Sequence, residues 1–249
     1  MLVREARKRP DPWTEYRQSI PHRWLLPLYT VEFAFEWTAY FLSKWAFLEV
    51  LEYLGILSVL FAVIFYYSEA GDRQKQKHYQ AWQVINTAQG KGGSGGRIEA
   101  LQELNADGIP LVGVDVSGSF LQGVQLPRAK LLRADLGAAD LRDSDLQGSD
   151  LEYAHLTSAN FRGADLRFVN LLQADLENAD LVGATLAGAD LSHTNLKNAD
   201  LRKTNLQGIR WQAIAAIDSA NLYGVRNAPA GFVAWALQHG AISVRIDDD

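Results

Sequence analysis

The sequence predicts a mainly β protein in which a square coil follows an α-helical membrane region. A large apolar residue recurs at every fifth position across residues 109–211. A small or β-branched residue stands two positions before each of these. An apolar stretch, residues 45–67, precedes the repeat and is long enough for a bilayer. Because an internal repeat defines the fold of the chain that contains it, the period of five determines the predicted architecture.

A period of five fits neither a helix, which repeats every 3.6 residues, nor a strand, which repeats every two. It does fit a chain that turns a corner every five residues. The large residue and the small one two positions earlier then point inward, as alternate residues of a strand do. Four sides close one coil, and successive coils stack about 4.8 Å apart. The small residue keeps the narrow interior from being overfilled.

The repeats resemble the pentapeptide-repeat family, whose motif is A(D/N)LXX. The segments that match it outright are 134–136, 164–166, 174–176, 189–191 and 199–201. The resemblance implies a right-handed quadrilateral β-helix over residues 109–211. The first repeats depart from the motif at Val114, Phe120, Val124 and Lys130, so we expect a less regular first coil.

Most carboxylates of the repeat share one position, directly before the inward residue: Asp115, Asp135, Asp140, Asp145, Asp150, Asp165, Asp175, Asp180, Asp190 and Asp200. A short polar side chain at a corner can bond its own backbone. This pattern predicts a structural role for them rather than acid–base chemistry.

Two segments precede the membrane candidate. Residues 1–23 are basic, which is typical of a solvated terminus and also of a segment that contacts anionic lipid headgroups. Residues 24–44 are apolar and aromatic but interrupted by charges, which predicts an amphipathic helix in the membrane interface. A second spanning helix is the alternative for residues 24–44.

Residues 45–68 are predicted to form a transmembrane helix. The run from Trp45 to Tyr67 spans about 34 Å as a helix, against a hydrocarbon core of about 30 Å. Glu49 and Glu52 lie in its first third and share a face. They indicate either contact with another intramembrane chain or a helix shifted so that both carboxylates reach water. Membrane lipid is accordingly one predicted partner.

The segment does not read as a cleaved signal, because the preceding region is long and residues 68–71 form a poor cleavage site. Basic residues are more numerous before the span than between it and the repeat, which favours a cytoplasmic N-terminus. We therefore expect a single-pass protein of a bacterial inner membrane or of a thylakoid. We include the thylakoid membrane because many cyanobacterial proteins carry the repeat that this chain resembles.

Three flanking segments complete the prediction. Residues 69–96 read as a juxtamembrane helix followed by a flexible Gly-rich joint, which lacks the order of a phosphate-binding loop. Residues 97–108 are predicted to form a short helix that covers the open end of the coil. Residues 212–249 are predicted to form a second cap, with a helix between Pro229 and Gly240, and an acidic tail.

The sequence offers no catalytic constellation. The chain contains no cysteine, and its five histidines are scattered without ligand spacing. We therefore predict no catalytic residue, no cofactor and no metal. One outward side of the coil carries Val112, Leu132 and Leu172 with Tyr153, and Phe168 lies round the corner. Such clustered apolar residues can mark a partner surface.

These features favour a non-catalytic, membrane-anchored protein–protein interaction scaffold. Its partner is an unidentified protein, and an accessory role in an integral membrane complex is one form of the hypothesis. Some family members mimic DNA and protect gyrase, which is the alternative implied by the resemblance. Residues 111–210 hold 13 acidic and 10 basic residues. The net charge of this stretch is therefore −3. Five coils are about 24 Å long, and duplex DNA of that length carries about 14 negative phosphate charges. The charge of the coil is thus too small for it to mimic nucleic acid, and this alternative is disfavoured.

Overall fold

The computed structural model describes residues 8–20, 26–87 and 95–246. Its contacts divide the chain into two compact units, Met1–Arg73 and Gln74–Asp249. The first unit is helical, and the second contains the repeat with its caps.

The described residues of the first unit form three helices and the beginning of a fourth helix. Helix α1 spans Trp13–Tyr16 and continues as a 3₁₀ turn over Arg17–Ser19. Helix α2 spans Leu26–Ser43 and helix α3 spans Ala46–Ser68. Trp45 has an extended backbone, with φ −87° and ψ 101°, and this interrupts the hydrogen-bond ladder between α2 and α3. The two apolar stretches are therefore separate helices.

Helix α1 packs on α2 through aromatic rings. The Phe33 ring centroid lies 5.0 Å from that of Trp13 and 5.4 Å from that of Tyr16. Burial, together with the nearby carboxylates of Glu32 and Glu36, raises the pKa of Tyr16 above its ordinary value. Part of the basic segment that the sequence describes as a solvated or lipid-contacting terminus is thus folded against the next helix.

Two helices close the first end of the coil. Helix α4 spans Ala70–Thr87 and helix α5 spans Arg97–Ala106. Leu101 and Leu104 of α5 are buried in the same apolar core as the repeat. Ala81 and Ile85 of α4 are buried there as well. Helix α4 therefore shares a core with α5 and the coil, while most of the predicted Gly-rich joint, residues 88–94, lies outside the described residues.

The coil has the predicted four sides, because each residue before an inward position bridges to the residue twenty positions later. The first of these parallel bridges joins Asp115 to Asp135, and the pattern continues to the bridge between Asp190 and Arg210. Backbone hydrogen bonds accompany it from the first repeat, where the N–H of Leu111 donates to the carbonyl of Lys130 at 2.9 Å. The expectation of a less regular first coil was therefore wrong. The inward residues there remain apolar, and the backbone ladder does not depend on the identity of the outward ones.

The corners require a left-handed backbone at the second residue after each inward large residue. Glycine occupies many of these positions, for example Gly183 with φ +72° and Gly188 with φ +73°. Larger residues occupy others, including Arg128 and Tyr153, with φ +57° and +58°. Glycine adopts this conformation without steric cost, whereas other residues rely on the surrounding ladder to hold it.

One extra residue enters the coil after Arg210. Asn195 bridges to Ala216, twenty-one positions away, and the same offset continues at Asn221 and Arg226. The displaced motif at residues 220–222 is thus a shifted continuation of the coil, which extends past the boundary expected at residue 211. Trp211 is only partly buried.

Helix α6, Phe232–Gln238, lies at the second end of the coil, and its Phe232 and Ala236 are buried. The Trp211 ring packs against the rings of Phe232 and Trp235, with centroid distances of 5.6 Å and 5.3 Å. After α6 the chain returns to the coil edge, where Ile242 bridges to Asn221.

Candidate functional site

The repeated aspartates of the coil have the structural role that the sequence predicts. A side-chain oxygen of each accepts the backbone N–H two residues later, at 2.9 Å for Asp145 and 3.0 Å for Asp135. The same bond occurs at Asp115, Asp140, Asp150, Asp165, Asp175, Asp180, Asp190 and Asp200. Asparagine replaces aspartate in this role at Asn160. The acceptor oxygen, which both residue types share, is therefore what the corner uses.

Five arginines neutralise part of this acidic surface. The ion pairs are Arg142–Asp140, Arg162–Asp180, Arg167–Asp165, Arg202–Asp200 and Arg210–Asp190, with N···O distances from 2.5 to 2.8 Å. The hydrogen bonds from the Arg142 guanidinium lower the pKa of Asp140, and those from Arg167 lower the pKa of Asp165. Local ion pairing therefore explains these charged residues on the outer sides of the coil without a binding role.

The predicted apolar contacts on the coil are only partly exposed. Val112 and Tyr153 expose 51% and 41% of their surface, whereas Leu132 and Leu172 are half-buried. Tyr153 and Leu172 are neighbours, since the backbone N–H of Tyr153 donates to the carbonyl of Leu172 at 3.0 Å. We call the set Val112, Leu132, Tyr153 and Leu172 the apolar corner.

Phe168 belongs to the preceding corner, four residues before Leu172, and it is the most exposed large apolar residue of the coil, at 65%. Its ring lies against Gly188 in the next coil, where an added Cβ would come within 2.5 Å of Cδ1 of Phe168. Glycine at position 188 therefore lets the ring lie flat on the coil surface. The sequence gives no sign of this contact beyond the twenty-residue spacing of the two positions.

The other predicted contacts lie on α3. The side chain of Glu49 lies outside the described residues. Glu52 is exposed, as are the apolar side chains around it. One helical window among the described residues, Val50–Ser68, has the length and apolar composition needed to cross a membrane, and none of it is buried.

The contact between His78 and Asp107 is one that the sequence did not indicate. The imidazole Nε2 of His78 on α4 lies 2.6 Å from Oδ2 of Asp107, just after α5. This hydrogen bond from His78 lowers the pKa of Asp107. The pair ties the two cap helices together across twenty-nine residues, a separation that no local pattern reveals. Within residues 8–20, 26–87 and 95–246, no three His, Asp or Glu side chains are arranged to hold a metal ion.

Comparison with protein families matches the coil. The Pentapeptide repeats model, in eight copies, covers residues 111–148, 139–178 and 170–208. This is the same stretch in which the corner hydrogen bonds and the twenty-residue bridges repeat. No curated protein matches the chain.

Solved structures with the same repeat are also similar to this chain. HetL, a pentapeptide repeat protein involved in heterocyst differentiation regulation in the cyanobacterium Nostoc, is 34% identical over 48% of this chain, with a TM-score of 0.40. The match covers 52% of HetL, so it spans about half of that protein. A second Nostoc pentapeptide repeat protein, alr5209, is 34% identical over 59% of this chain and 94% of its own, with a TM-score of 0.29. QnrB1, a plasmid-mediated fluoroquinolone resistance protein, is 18% identical over 55% of this chain and 81% of its own, with a TM-score of 0.28.

Proposed function

The chain belongs to the pentapeptide-repeat family, and from this premise we propose that it is a non-catalytic scaffold anchored in a membrane by α3. The coil is a right-handed β-helix that offers flat, regular sides to a protein partner. The observation that carries the proposal is the exposed apolar helix in the same chain as a fully packed coil.

The anchor follows from the chemistry of α3. Its apolar window, Val50–Ser68, spans about 28 Å as a helix, close to the hydrocarbon core of about 30 Å. Burying its exposed side chains stabilises the chain by roughly 25 cal/mol for each Å² removed from water. Tyr66 and Tyr67 lie at its end, and the guanidinium of Arg73 lies 4.5 Å from the Tyr66 ring centroid. Such aromatic and basic groups are favoured at the membrane–water interface.

The scaffold role rests on the outward residues of the coil. Its interior is filled by leucine and alanine ladders, so binding falls to the outer sides. The apolar corner and Phe168 are the apolar parts of those sides, and they carry the proposed partner contacts. The five arginine–aspartate pairs favour this role over DNA mimicry, which needs a continuous array of unpaired negative charge.

Membrane fractionation tests the anchor. Val59 and Ala62 lie near the middle of α3, where each arginine costs about 2.5 to 3.5 kcal/mol on insertion scales. We expect the double variant Val59→Arg, Ala62→Arg to move from the carbonate-resistant membrane fraction to the supernatant. The control is Tyr79→Arg, on the exposed surface of α4, which we expect to remain in the membrane. Wild-type protein in the supernatant would refute the anchor.

Site-specific crosslinking tests the partner surface. Because the chain has no cysteine, one introduced cysteine reports one position. A photoactivatable crosslinker on Tyr153→Cys or Phe168→Cys should capture the same protein in native membranes. The control is Gln122→Cys, an exposed corner residue on another side of the coil, which should not capture it. Equal capture from all three positions would contradict a partner surface at the apolar corner.

A further inference from the structure

One side of the first coil carries three exposed cations: Arg128, Lys130 and Arg133. Arg128 stands at one corner, Lys130 is central, and Arg133 stands at the next corner. No acidic side chain of the described residues pairs with any of them. In this they differ from the five arginines further along the coil that each bind an aspartate. We call these three residues the basic side.

A groove and apolar neighbours accompany these cations. A shallow cavity of about 300 Å³ lies between the end of α5 and the first coil, and Pro127, Arg128 and Lys130 line it. Val112, which is exposed, and Leu132, which is half-buried, belong to the same side. The guanidinium of Arg133 lies 5.6 Å from the Tyr153 ring centroid. Basic, apolar and aromatic groups together are the composition that favours a membrane interface.

In the sequence, the cap and the first coil follow shortly after α3. Helix α4 begins two residues after Ser68, and Ala81, which is buried in the core that the first coil shares, lies about 17 Å along it. The charge distribution matches this end as well. Residues 74–133 hold seven basic and four acidic residues, whereas residues 134–246 hold nine basic and 13 acidic ones. The positive end of the second unit is therefore the end next to α3 in the chain.

We propose that the basic side binds the headgroups of anionic lipids in the bilayer that α3 crosses. The inference rests on the proposed function, because α3 must hold the coil at the membrane surface. Arg128 and Lys130, which line the groove, would bind the lipid phosphate group, while the neighbouring apolar corner remains the proposed protein contact. An acidic protein surface would offer similar charges. Lipid is favoured because this end of the coil follows α3 closely in the sequence. Each cation near an anionic surface strengthens binding by about fivefold.

The experiment uses the full-length chain in nanodiscs of phosphatidylcholine alone, or of phosphatidylcholine with phosphatidylglycerol. A single cysteine at Val112 carries an environment-sensitive fluorophore, and a spin label on lipid headgroups quenches it. We expect strong quenching only with phosphatidylglycerol, weakening as salt screens the charges. The double variant Arg128→Glu, Lys130→Glu should reduce quenching to the level seen with phosphatidylcholine alone. The control, Lys203→Glu with Arg226→Glu, reverses two exposed cations at the far end and should leave quenching unchanged.

The outcomes separate the two proposals. If quenching depends neither on lipid charge nor on the Arg128→Glu, Lys130→Glu change, the lipid site is overturned. If the same protein still resists carbonate extraction, the anchor is unaffected. Wild-type protein that is extracted by carbonate overturns the anchor. Charge reversal that abolishes crosslinking to an acidic protein without changing quenching overturns lipid as the ligand. Circular dichroism of both double variants checks that the coil is folded.

Discussion

The coil and α3 contain the same kinds of aliphatic side chain and place them in opposite environments. Leu121 and Leu141 are completely buried in the coil, whereas Ile56 and Val59 of α3 expose 63% and 65% of their surface. In the coil, a small residue two positions earlier makes room for each large one, so the chain supplies its own apolar environment. Helix α3 has no such complement among the described residues. The difference teaches that equal hydrophobicity leads to a packed core in one region and to a predicted lipid contact in the other.

The largest expected difference comes from making the same truncation in both regions. Leu141→Ala leaves a cavity in the coil, and we expect it to lower the free energy of unfolding by about 2 to 5 kcal/mol. Leu57→Ala, on the exposed surface of α3, should change it by no more than about 0.5 kcal/mol. Chemical denaturation of the full chain in detergent, followed by circular dichroism, measures both. Equal effects would contradict the view that Leu57 lies on an exposed surface.

A smaller effect is expected at the left-handed corners of the coil, a backbone conformation that the regular helix α3 does not contain. Alanine in a left-handed conformation costs about 1 to 2 kcal/mol, and this applies to Gly183→Ala and to Gly188→Ala alike. At position 188 the new Cβ also displaces the Phe168 ring, which adds about 0.5 to 1.5 kcal/mol.

The matched pair of variants separates the two contributions, with denaturation as the measurement. When Phe168 is first replaced by alanine, the ring can no longer clash with position 188. In that background, Gly188→Ala should therefore cost only as much as Gly183→Ala does in the wild type. If Gly188→Ala is no worse than Gly183→Ala, the ring does not rest on the glycine.

The smallest effect concerns the charged corners and appears only in acid. Because Arg142 lowers the pKa of Asp140, this carboxylate stabilises the fold above its unfolded pKa of about 4. The contribution is lost as pH falls through the lower pKa of the folded state. Asp140→Asn keeps the corner acceptor, as Asn160 does, but removes the charge.

We expect Asp140→Asn to show a weaker fall in stability than wild type between about pH 6 and pH 2, measured from denaturation midpoints. Asp140→Ala removes the corner acceptor as well and should be less stable at every pH. An acid profile identical to that of wild type for Asp140→Asn would show that the ion pair does not contribute.

Much of the coil could be predicted because its contacts repeat locally. The inward position of Leu141, the corner bond of Asp135 and the displaced motif at Asn221 all follow from counting residues in fives and twenties. The apolar corner was predicted from the same count, although Leu132 and Leu172 turned out to be half-buried. The exposure of an outward side chain depends on its neighbours in adjacent coils, and the count alone does not give that exposure.

Contacts between distant segments could not be predicted in this way. The bond between His78 and Asp107 joins two helices of one cap, which share no sequence period. The burial of Ala81 and Ile85 gives α4 a place in the core, although its sequence is mostly polar. Spacing along the sequence also could not show that, among the described residues, no acidic side chain pairs with Arg128 or Lys130.

The sequence by itself determined the four-sided coil, its inward ladder and its corners, because those contacts depend on spacing that every repeat states again. It also marked α3 as a helix of membrane length, since length and apolarity are properties of one segment. The tertiary structure alone decided that α4 belongs to the cap and that one residue shifts the coil after Arg210. It also decided that no acidic side chain of the described residues pairs with three cations near the start of the coil. Those features depend on which distant side chains come within a few ångströms, and burial and ion pairing respond to that distance rather than to position along the chain.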